Sequence, residues 1–169
     1  MVRNGSFEND GVINFITEED SPRYWCDVNL PVDKFGGWVD GMYWSTHDGN
    51  SLTLYSEMSE TFAAGDMATV SQQVYLTDVN EIIFDLNLST IWGSEFWDPN
   101  RSAVLLIDGN IVWDSNNILG PDASGVYLNQ IVDVNEIYRD ANSHILSLGI
   151  RANISEYSII QYWAQWDFV

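Results

Sequence analysis

Five polar and aromatic residues are spaced so that they could share one surface suited to a sugar. They occupy alternate positions between apolar residues, which in a β-strand places them on one face: Gln73, Tyr75, Asp85, Asn87 and Arg151. Amide, carboxylate and guanidinium groups make the paired hydrogen bonds that sugar hydroxyls need, and an aromatic ring stacks on the apolar face of a pyranose. The pattern predicts a ligand-binding sheet face. The alternative is an ordinary antiparallel sheet that turns its polar residues to solvent.

A second candidate surface is the segment from residue 91 to residue 101, which joins two apolar runs and contains Trp92, Phe96 and Trp97. Large rings in a loop have no automatic place in a core, and exposed ones usually mark a binding surface. Trp113, beyond the next turn, could join them. We therefore expect Trp92, Trp97 and Trp113 to stack on a ligand. The alternative is that one of the loop rings folds back over an end of the fold.

Catalytic patterns are absent from the sequence. Its two histidines, His47 and His144, lie in separate segments, and no nucleophile elbow, phosphate-binding loop or zinc spacing occurs. Carboxylates are so frequent that a pair at the separation used by glycosidases carries little information. We predict that the chain is not an enzyme. Glu95 and Asp98, beside the aromatic loop, are the two carboxylates worth testing.

The elements that must position these residues are strands. Apolar alternation and closely spaced turn residues predict an all-β sandwich, and Asp108-Gly109 is typical of a tight hairpin turn. Long irregular segments are expected at 9–43 and 116–126, and Trp38 is expected in the core. The predicted strands are Ser51–Ser56, Thr69–Leu76, Ile82–Thr90, Ser102–Ile107, Asn110–Trp113, Ile145–Asn153 and Ser158–Val169.

Composition restricts the class of partner. The 169 residues include 25 acidic and 6 basic ones, for a net charge of −19. Such a surface repels nucleic acid and anionic membranes but attracts calcium. No apolar run is long enough to insert in a membrane, and the single Cys26 excludes a disulfide framework. The length predicts a single domain over residues 1–169. Its abrupt strand-like ends indicate a module excised from a larger secreted protein.

Several short motifs occur in a familiar order along the chain. They are Asn4-Gly5-Ser6-Phe7-Glu8 at the start, Gly37-Trp38, then His47-Asp48-Gly49-Asn50-Ser51-Leu52-Thr53-Leu54, and Trp166-Asp167-Phe168-Val169 at the end. This order resembles the superfamily of jelly-roll carbohydrate-binding modules that includes families four, nine, sixteen and twenty-two. The resemblance spans the whole chain and implies a β-sandwich (jelly roll) of two antiparallel sheets. The aromatic segment 91–101 and the long segment 9–43 depart from the family pattern.

The resemblance also implies a structural calcium ion near the chain ends. Carried over residue by residue, its ligands would be Ser6, Glu8, Asn50 and Asp167. Carboxylate and carbonyl oxygens are the ligands that calcium prefers. The alternative is that Glu8 and Asp167 are merely solvated.

In cleft-type members of the family the glycan crosses a sheet made of the second, fourth, fifth and seventh strands. The resemblance therefore implies that Gln73, Tyr75, Asp85, Asn87 and Arg151 lie in this cleft.

These observations predict an extracellular, non-catalytic domain that binds a polysaccharide or oligosaccharide. The expected ligand is a neutral β-linked glucan, xylan or mannan, and the expected context is a monomeric module tethered to a glycoside hydrolase or a similar polymer-degrading enzyme. A structural or adhesive jelly-roll module of a cell-surface protein, which contacts protein instead of sugar, is the alternative.

Overall fold

A computed structural model of the chain describes residues 2–3, 5, 7, 14–16, 25, 27–31, 33–40, 44–46, 49–90, 100–167 and 169. Nearly all of the regular structure is β-strand, with one short α-helix, α1, and a 3-10 helix at Glu136–Tyr138. In chain order the elements are β1 Asn14–Ile16, β2 Asp27–Asn29, β3 Phe35–Asp40, β4 Ser51–Ser56, β5 Glu60–Phe62, β6 Met67–Tyr75, β7 Glu81–Thr90, β8 Arg101–Ile107, β9 Asn110–Asp114, α1 Ser115–Ile118, β10 Gly125–Asp133, β11 Ser143–Ala152, β12 Glu156–Ser158 and β13 Tyr162–Asp167.

Two antiparallel sheets form a jelly-roll β-sandwich, which confirms the predicted fold class. The six-stranded sheet has the order β1-β3-β4-β13-β7-β10, and the five-stranded sheet has the order β2-β6-β11-β8-β9. A separate two-stranded sheet pairs β5 with β12. Apart from the consecutive pairs β3–β4 and β8–β9, neighbouring strands in the two large sheets are not consecutive in sequence, so each sheet is assembled largely from non-local pairs. No helix in the described part of the chain is long and apolar enough to cross a membrane.

The core lies between the inner faces of the two large sheets and follows the two-residue period of the strands. On β7 the inward residues Phe84, Leu86 and Leu88 are fully buried, and on β13 Trp166 is fully buried. Phe84 packs 5.1 Å from Trp166 between ring centroids. Alternation therefore sorts the side chains of these strands into a core set and an outer set.

Several strand predictions hold to within one or two residues. The Ser51–Ser56 prediction matches β4, and the Asp108-Gly109 turn has φ values of 51° and 77°, as the predicted hairpin requires. The predicted strand Ser158–Val169 is instead two elements, β12 and β13. The expectation of irregular structure over 9–43 is wrong for β1, β2 and β3, and that over 116–126 is wrong where α1 and β10 fall.

Candidate functional site

The structure separates the five residues that were predicted to share one sheet face. Asp85 and Asn87 lie on β7 of the six-stranded sheet, whereas Gln73, Tyr75 and Arg151 lie on β6 and β11 of the five-stranded sheet. The prediction of one common face is therefore wrong. Alternation had assigned each residue correctly to the outside of its own strand, but the two outer faces point away from each other across the sandwich.

The three residues on the five-stranded sheet are also spread along it. Tyr75 is opposite Ser143 at one end of the β6–β11 ladder, and Arg151 is opposite Met67 at the other end. The Gln73 amide donates to the Ser143 hydroxyl at 2.7 Å. Arg151 donates to Asp114 at 3.2 Å and to Asn153. The described contacts thus do not gather these three side chains into one site.

Trp113 is a core residue, and the prediction that it stacks on a ligand from the surface is wrong. It is 4% exposed and packs edge-to-face on Phe84, with 5.0 Å between centroids. The cause is an irregularity in the β8–β9 ladder: Leu106 pairs with Ile111 but Leu105 pairs with Trp113, so one residue of β9 is extra. A bulge of this kind shifts every later residue to the opposite face. Trp92, Trp97, Glu95 and Asp98 lie outside the described residues.

The outer face of the six-stranded sheet carries an organised set of rings and amides that we call the aromatic–amide face. Its members are Trp38, Thr53, Tyr55, Asn87, Trp163 and Gln165. Cross-strand register arranges them in two adjacent rows, because directly opposed residues of antiparallel strands share a face.

The first row crosses β3, β4, β13 and β7 through Gly36, Tyr55, Trp163 and Ser89. Tyr55 lies over Gly36, where a side chain would overlap the tyrosine ring. The Trp163 indole N–H donates to the Gln161 side-chain oxygen at 2.8 Å, which fixes the ring plane. Trp163 and Tyr55 are partly exposed, so this row presents accessible aromatic surface.

The second row crosses the same strands through Trp38, Thr53, Gln165 and Asn87. Its polar members form a hydrogen-bonded chain: the Asn87 amide donates to Gln165 Oε1 at 2.7 Å, and the Gln165 amide donates to Thr53 Oγ1 at 3.2 Å. Thr53 and Gln165 are almost fully buried, whereas Asn87 is half-buried. Each amide is therefore held in a defined orientation, and Asn87 keeps polar surface that a ligand can reach.

Trp38 is buried, as predicted, at 9% exposure, but it lies on the aromatic–amide face and outside the main core cluster. Its ring is 5.1 Å from that of Trp163 at an interplanar angle of 90°, and 5.1 Å from that of Tyr55. Both contacts lie outside the core cluster. Alternation in β3 could have shown this, because Phe35 and Val39 are core residues and Trp38 has the opposite parity.

Carboxylates form the far end of the same outer face. Asp167 lies directly opposite Asp85, and both are buried. The Asp167 carboxylate accepts from the Thr46 backbone N–H at 2.7 Å, and Asp85 accepts from the Thr46 hydroxyl at 2.6 Å and from the Asn129 N–H at 2.6 Å. Asp85 therefore holds the loop at 44–46 and β10 in place. Its predicted contact with a ligand is not supported, because both of its oxygens are engaged and it is 8% exposed.

Burial changes the chemistry of one ring on this face. Desolvation, with a smaller contribution from the nearby Glu57 carboxylate, raises the pKa of Tyr55 to about 12. The phenol thus stays neutral and can donate a hydrogen bond throughout the physiological range. Stacking and neutral hydrogen bonding are the interactions that the aromatic–amide face offers.

The predicted calcium ligands are only partly described, since Ser6 and Glu8 lie outside the described residues. The Val169 N–H donates to the Gly5 carbonyl at 3.1 Å, and the Asn50 amide approaches the Phe7 carbonyl at 3.4 Å. Asp167 is one residue beyond Trp166, which pairs with Leu52, so Asn50 and Asp167 lie at the same end of β4 and β13. In the described part of the chain no three His, Cys, Asp or Glu side chains are grouped to hold a metal.

Comparison with known proteins shows the fold and no family. No protein-family model matches the sequence, and no curated protein matches it. Among solved structures, the apo form of a cyclase from Fischerella sp. is 12% identical with a TM-score of 0.54, over 98% of this chain and 94% of that one.

Two further structures have a similar overall shape. A cyclase from Fischerella sp. TAU in complex with 4-(1H-indol-3-yl)butan-2-one is 13% identical, with a TM-score of 0.56 over 98% of this chain and 94% of that chain. The CBM27-1 module of Caldicellulosiruptor saccharolyticus in complex with mannohexaose is 15% identical, with a TM-score of 0.49 over 80% of this chain and 89% of that chain. At such identities the two cyclase structures, with TM-scores above 0.5, show that this chain shares their fold, and they assign no activity.

Proposed function

We propose that this chain is a non-catalytic module that binds a neutral glycan on the aromatic–amide face of the six-stranded sheet. The observation that carries the proposal is the pair of adjacent rows on that face, one of accessible rings and one of oriented amides. The site is thus moved from the face predicted from the sequence, while Asn87 is retained from it. Trp92 and Trp97 stay in the proposal on the sequence argument alone.

The aromatic row supplies a stacking platform. The Trp163 ring is fixed by its bond to Gln161 and by the edge of Trp38, so little side-chain freedom is lost when a sugar packs on it. Tyr55, at the opposed position on β4, extends the platform across the strands. Pyranose rings stack by their apolar C–H faces, and a preorganised pair of rings suits consecutive residues of a glycan chain.

The amide row can distinguish sugars by the orientation of their hydroxyl groups. Gln165 is locked between Asn87 and Thr53, so the Asn87 side chain points in one orientation only. A hydroxyl that matches this orientation gains a hydrogen bond, and one that does not leaves a polar group unpaired at the contact. Neither row contains a basic side chain, and the chain carries a net charge of −19, so a neutral polymer fits better than an anionic one.

The cellular role in the proposal follows from the sequence resemblance. The module would be extracellular and would hold an attached polysaccharide-degrading enzyme on a β-glucan, xylan or mannan. A structural calcium ion held through Glu8, Asn50 and Asp167, with the Ser6 carbonyl, would brace the chain ends. We expect glycan affinity of about micromolar to millimolar, because hydrated, flexible sugars gain little per contact.

The test is retardation of the purified chain in gels that contain β-glucan, xylan or mannan. We expect one polymer class to retard it, and Trp163→Ala to weaken binding by about tenfold or more, which corresponds to loss of one stacking contact. Asn87→Ala should weaken binding less and alter the preference among polymers. Trp163 is partly exposed, so thermal melting should show that the variant folds.

Tyr75→Ala is the matched control, because Tyr75 is a highly exposed ring on the opposite sheet. It should leave retardation unchanged. If Tyr75→Ala abolishes binding while Trp163→Ala does not, the aromatic–amide face is not the site. If no polymer retards the wild-type chain, the proposed function fails.

A further inference from the structure

In the described part of the chain β10 is an edge strand, and between its bulge at Leu128–Asn129 and its end at Asp133 it carries little of the usual protection. It is the last strand of the six-stranded sheet, and no strand in the described part of the chain pairs with its second side. Edge strands normally carry Lys, Pro or inward charges that prevent another chain from pairing with them. The nine residues of β10 contain no Lys or Pro, and Asp133 at the end is the one charged residue among them. Beyond the bulge, no described strand therefore pairs with the free side of Gln130–Asp133, where a further strand could be added.

The outer face beside this edge is apolar. Ile131 on β10 lies directly opposite Ile83 on β7, and Val126 lies further along the same strand. Ile131 is 55% exposed and Val126 is 52% exposed, as is Leu128. Half-exposed aliphatic side chains along a free edge give an added strand both backbone partners and side-chain contacts.

An acidic pair marks one end of the same edge. Glu81 lies directly opposite Asp133, and both are exposed. Like charges at opposed positions of an antiparallel pair destabilise the pairing. Neither carboxylate forms an ion pair with a described residue. A cation from outside the described chain would remove this repulsion, and it would lie two residues from the Ile83–Ile131 pair.

We propose that β10 binds an extended peptide of a partner protein as an additional strand, and that this peptide is basic and apolar. A Lys or Arg would lie beside Glu81 and Asp133, and an aliphatic side chain two positions away would pack on Ile83 and Ile131. A second copy of this chain does not meet these needs, because its own β10 contains no Lys or Arg and each copy carries a net charge of −19. The peptide proposal does not rest on the glycan proposal, although Val126 of β10 lies directly opposite Asn87 of the aromatic–amide face.

The probe is a fluorescein-labelled peptide, acetyl-Lys-Thr-Ile-Thr-Val-Thr-Lys-amide, titrated with the whole chain at about 0.15 M salt and followed by fluorescence anisotropy. Lysine at both ends allows either strand direction. We expect saturable binding that Ile131→Lys weakens by about tenfold or more, because the apolar contact is lost and a positive charge faces the peptide. Asp133→Lys should weaken it similarly.

Two controls separate strand addition from general attraction to an acidic protein. Ile159→Lys makes the same charge change at a 71% exposed isoleucine away from β10, and it should alter affinity by less than about twofold. A peptide N-methylated at alternate residues keeps its charge but cannot pair with a strand edge, and it should not bind. Equal binding of the N-methylated peptide, equal effects of both lysine variants, or no binding at all would overturn the proposal. Sedimentation showing a dimer that Ile131→Lys disrupts would assign the edge to a second copy and overturn it too.

Discussion

His144 lies between two carboxylates, at the start of β11. Its Nδ1 atom is 2.7 Å from an Asp108 oxygen and its Nε2 atom is 3.2 Å from an Asp140 oxygen. Ionised carboxylates only accept hydrogen bonds, so both contacts are satisfied only when the ring donates from both nitrogens and is therefore protonated. Tyr138 packs edge-on at 5.7 Å between centroids, and the opposed residue on β6 is the apolar Val74. Protonated His144 thus links the β8–β9 turn to the loop before β11.

This arrangement predicts a pH dependence of stability. The hydrogen bond to Asp108, with the further contact to Asp140, raises the pKa of His144 above its ordinary value. Because the folded pKa is raised, the added stability is fully present below the unfolded pKa of about 6.5 and is lost as pH rises through the folded pKa. The melting temperature should therefore fall as the solution is taken from about pH 6 to about pH 8.

His144→Gln should flatten that decline, as measured by scanning fluorimetry over the pH series. His47 remains in both proteins, and the general repulsion of a chain with net charge −19 acts on both, so the difference between the two curves isolates His144. Parallel curves for wild type and variant would show that the contacts of His144 with Asp108 and Asp140 do not contribute to the pH dependence of stability.

Strand alternation predicted the side on which individual residues lie wherever a strand is regular. Asn87, Trp163 and Gln165 point outward and Trp166 points inward, as their parity requires. Alternation could not have corrected the expectation for Trp113, because the extra residue in β9 reverses parity and no local signal in the sequence marks it. At Trp38 the predicted burial is confirmed, and alternation in β3 shows in addition that the ring lies on the outer side of the strand.

Among the elements, the two-stranded sheet of β5 and β12 is fastened to the sandwich by a buried cation. Arg101 at the start of β8 is fully buried and donates to Glu156 on β12 at 2.8 Å. Its guanidinium lies 4.1 Å from the centre of the Phe62 ring on β5 and 5.3 Å from that of Tyr162. One side chain of β8 therefore contacts β5, β12 and β13 by charge and by cation–π interaction.

Glu156→Gln should destabilise the protein, because it removes the negative charge that Glu156 places beside the buried guanidinium. Removing one partner of a fully buried ion pair lowers the free energy of unfolding by about 3–5 kcal/mol. Because Glu156 is partly exposed, the expected loss here is about 2 kcal/mol. Urea unfolding measures the change. Glu136→Gln, at a carboxylate whose side chain is 90% exposed, should change the free energy of unfolding by less than about 0.5 kcal/mol. Equal effects of the two substitutions would contradict this role of Arg101.

The sequence predicted the positions of strands in which apolar and polar residues alternate regularly, and it predicted the other strands less well. β10 was missed because its ladder with β7 shifts between Tyr127 and Gln130, where Asn129 adopts a φ of 51°, so apolar residues do not alternate strictly along it. Which sheet a strand joins could not be predicted, because strand order depends on pairings between segments more than fifty residues apart. That is why a correct outward assignment of Gln73 and Asn87 still produced a site divided between two sheets.

At the scale of the whole molecule, the chain ends meet beside the start of β4, where Asp167 lies opposite Asp85. The Gly5–Val169 and Phe7–Asn50 contacts hold this corner in the described structure. If calcium braces the same corner, removing it frees both ends and increases carboxylate repulsion. Prolonged dialysis against a chelator should lower the melting temperature by about 5 °C or more, since a ligand that binds only the folded state stabilises it.

Calcium should restore the melting temperature after that treatment, whereas magnesium, which demands a stricter geometry and gives up its water reluctantly, should not. A melting temperature that chelation leaves unchanged would remove calcium from the proposal without affecting the glycan site, which rests on other residues.

The fold class itself was predictable at this scale, because turn residues at short intervals and nearly absent helical periodicity leave few architectures besides a sandwich.

Gly36 leaves room for the Tyr55 ring, and this has an evolutionary consequence. Every other amino acid brings a Cβ atom into the space that the ring occupies. A replacement at position 36 therefore requires the Tyr55 ring to move away, which would also disturb its contact with Trp38. Variation at position 36 is thus coupled to the residue at position 55. A lineage that shrinks that ring frees position 36 to vary, and the change cannot easily be reversed once a side chain has filled the gap.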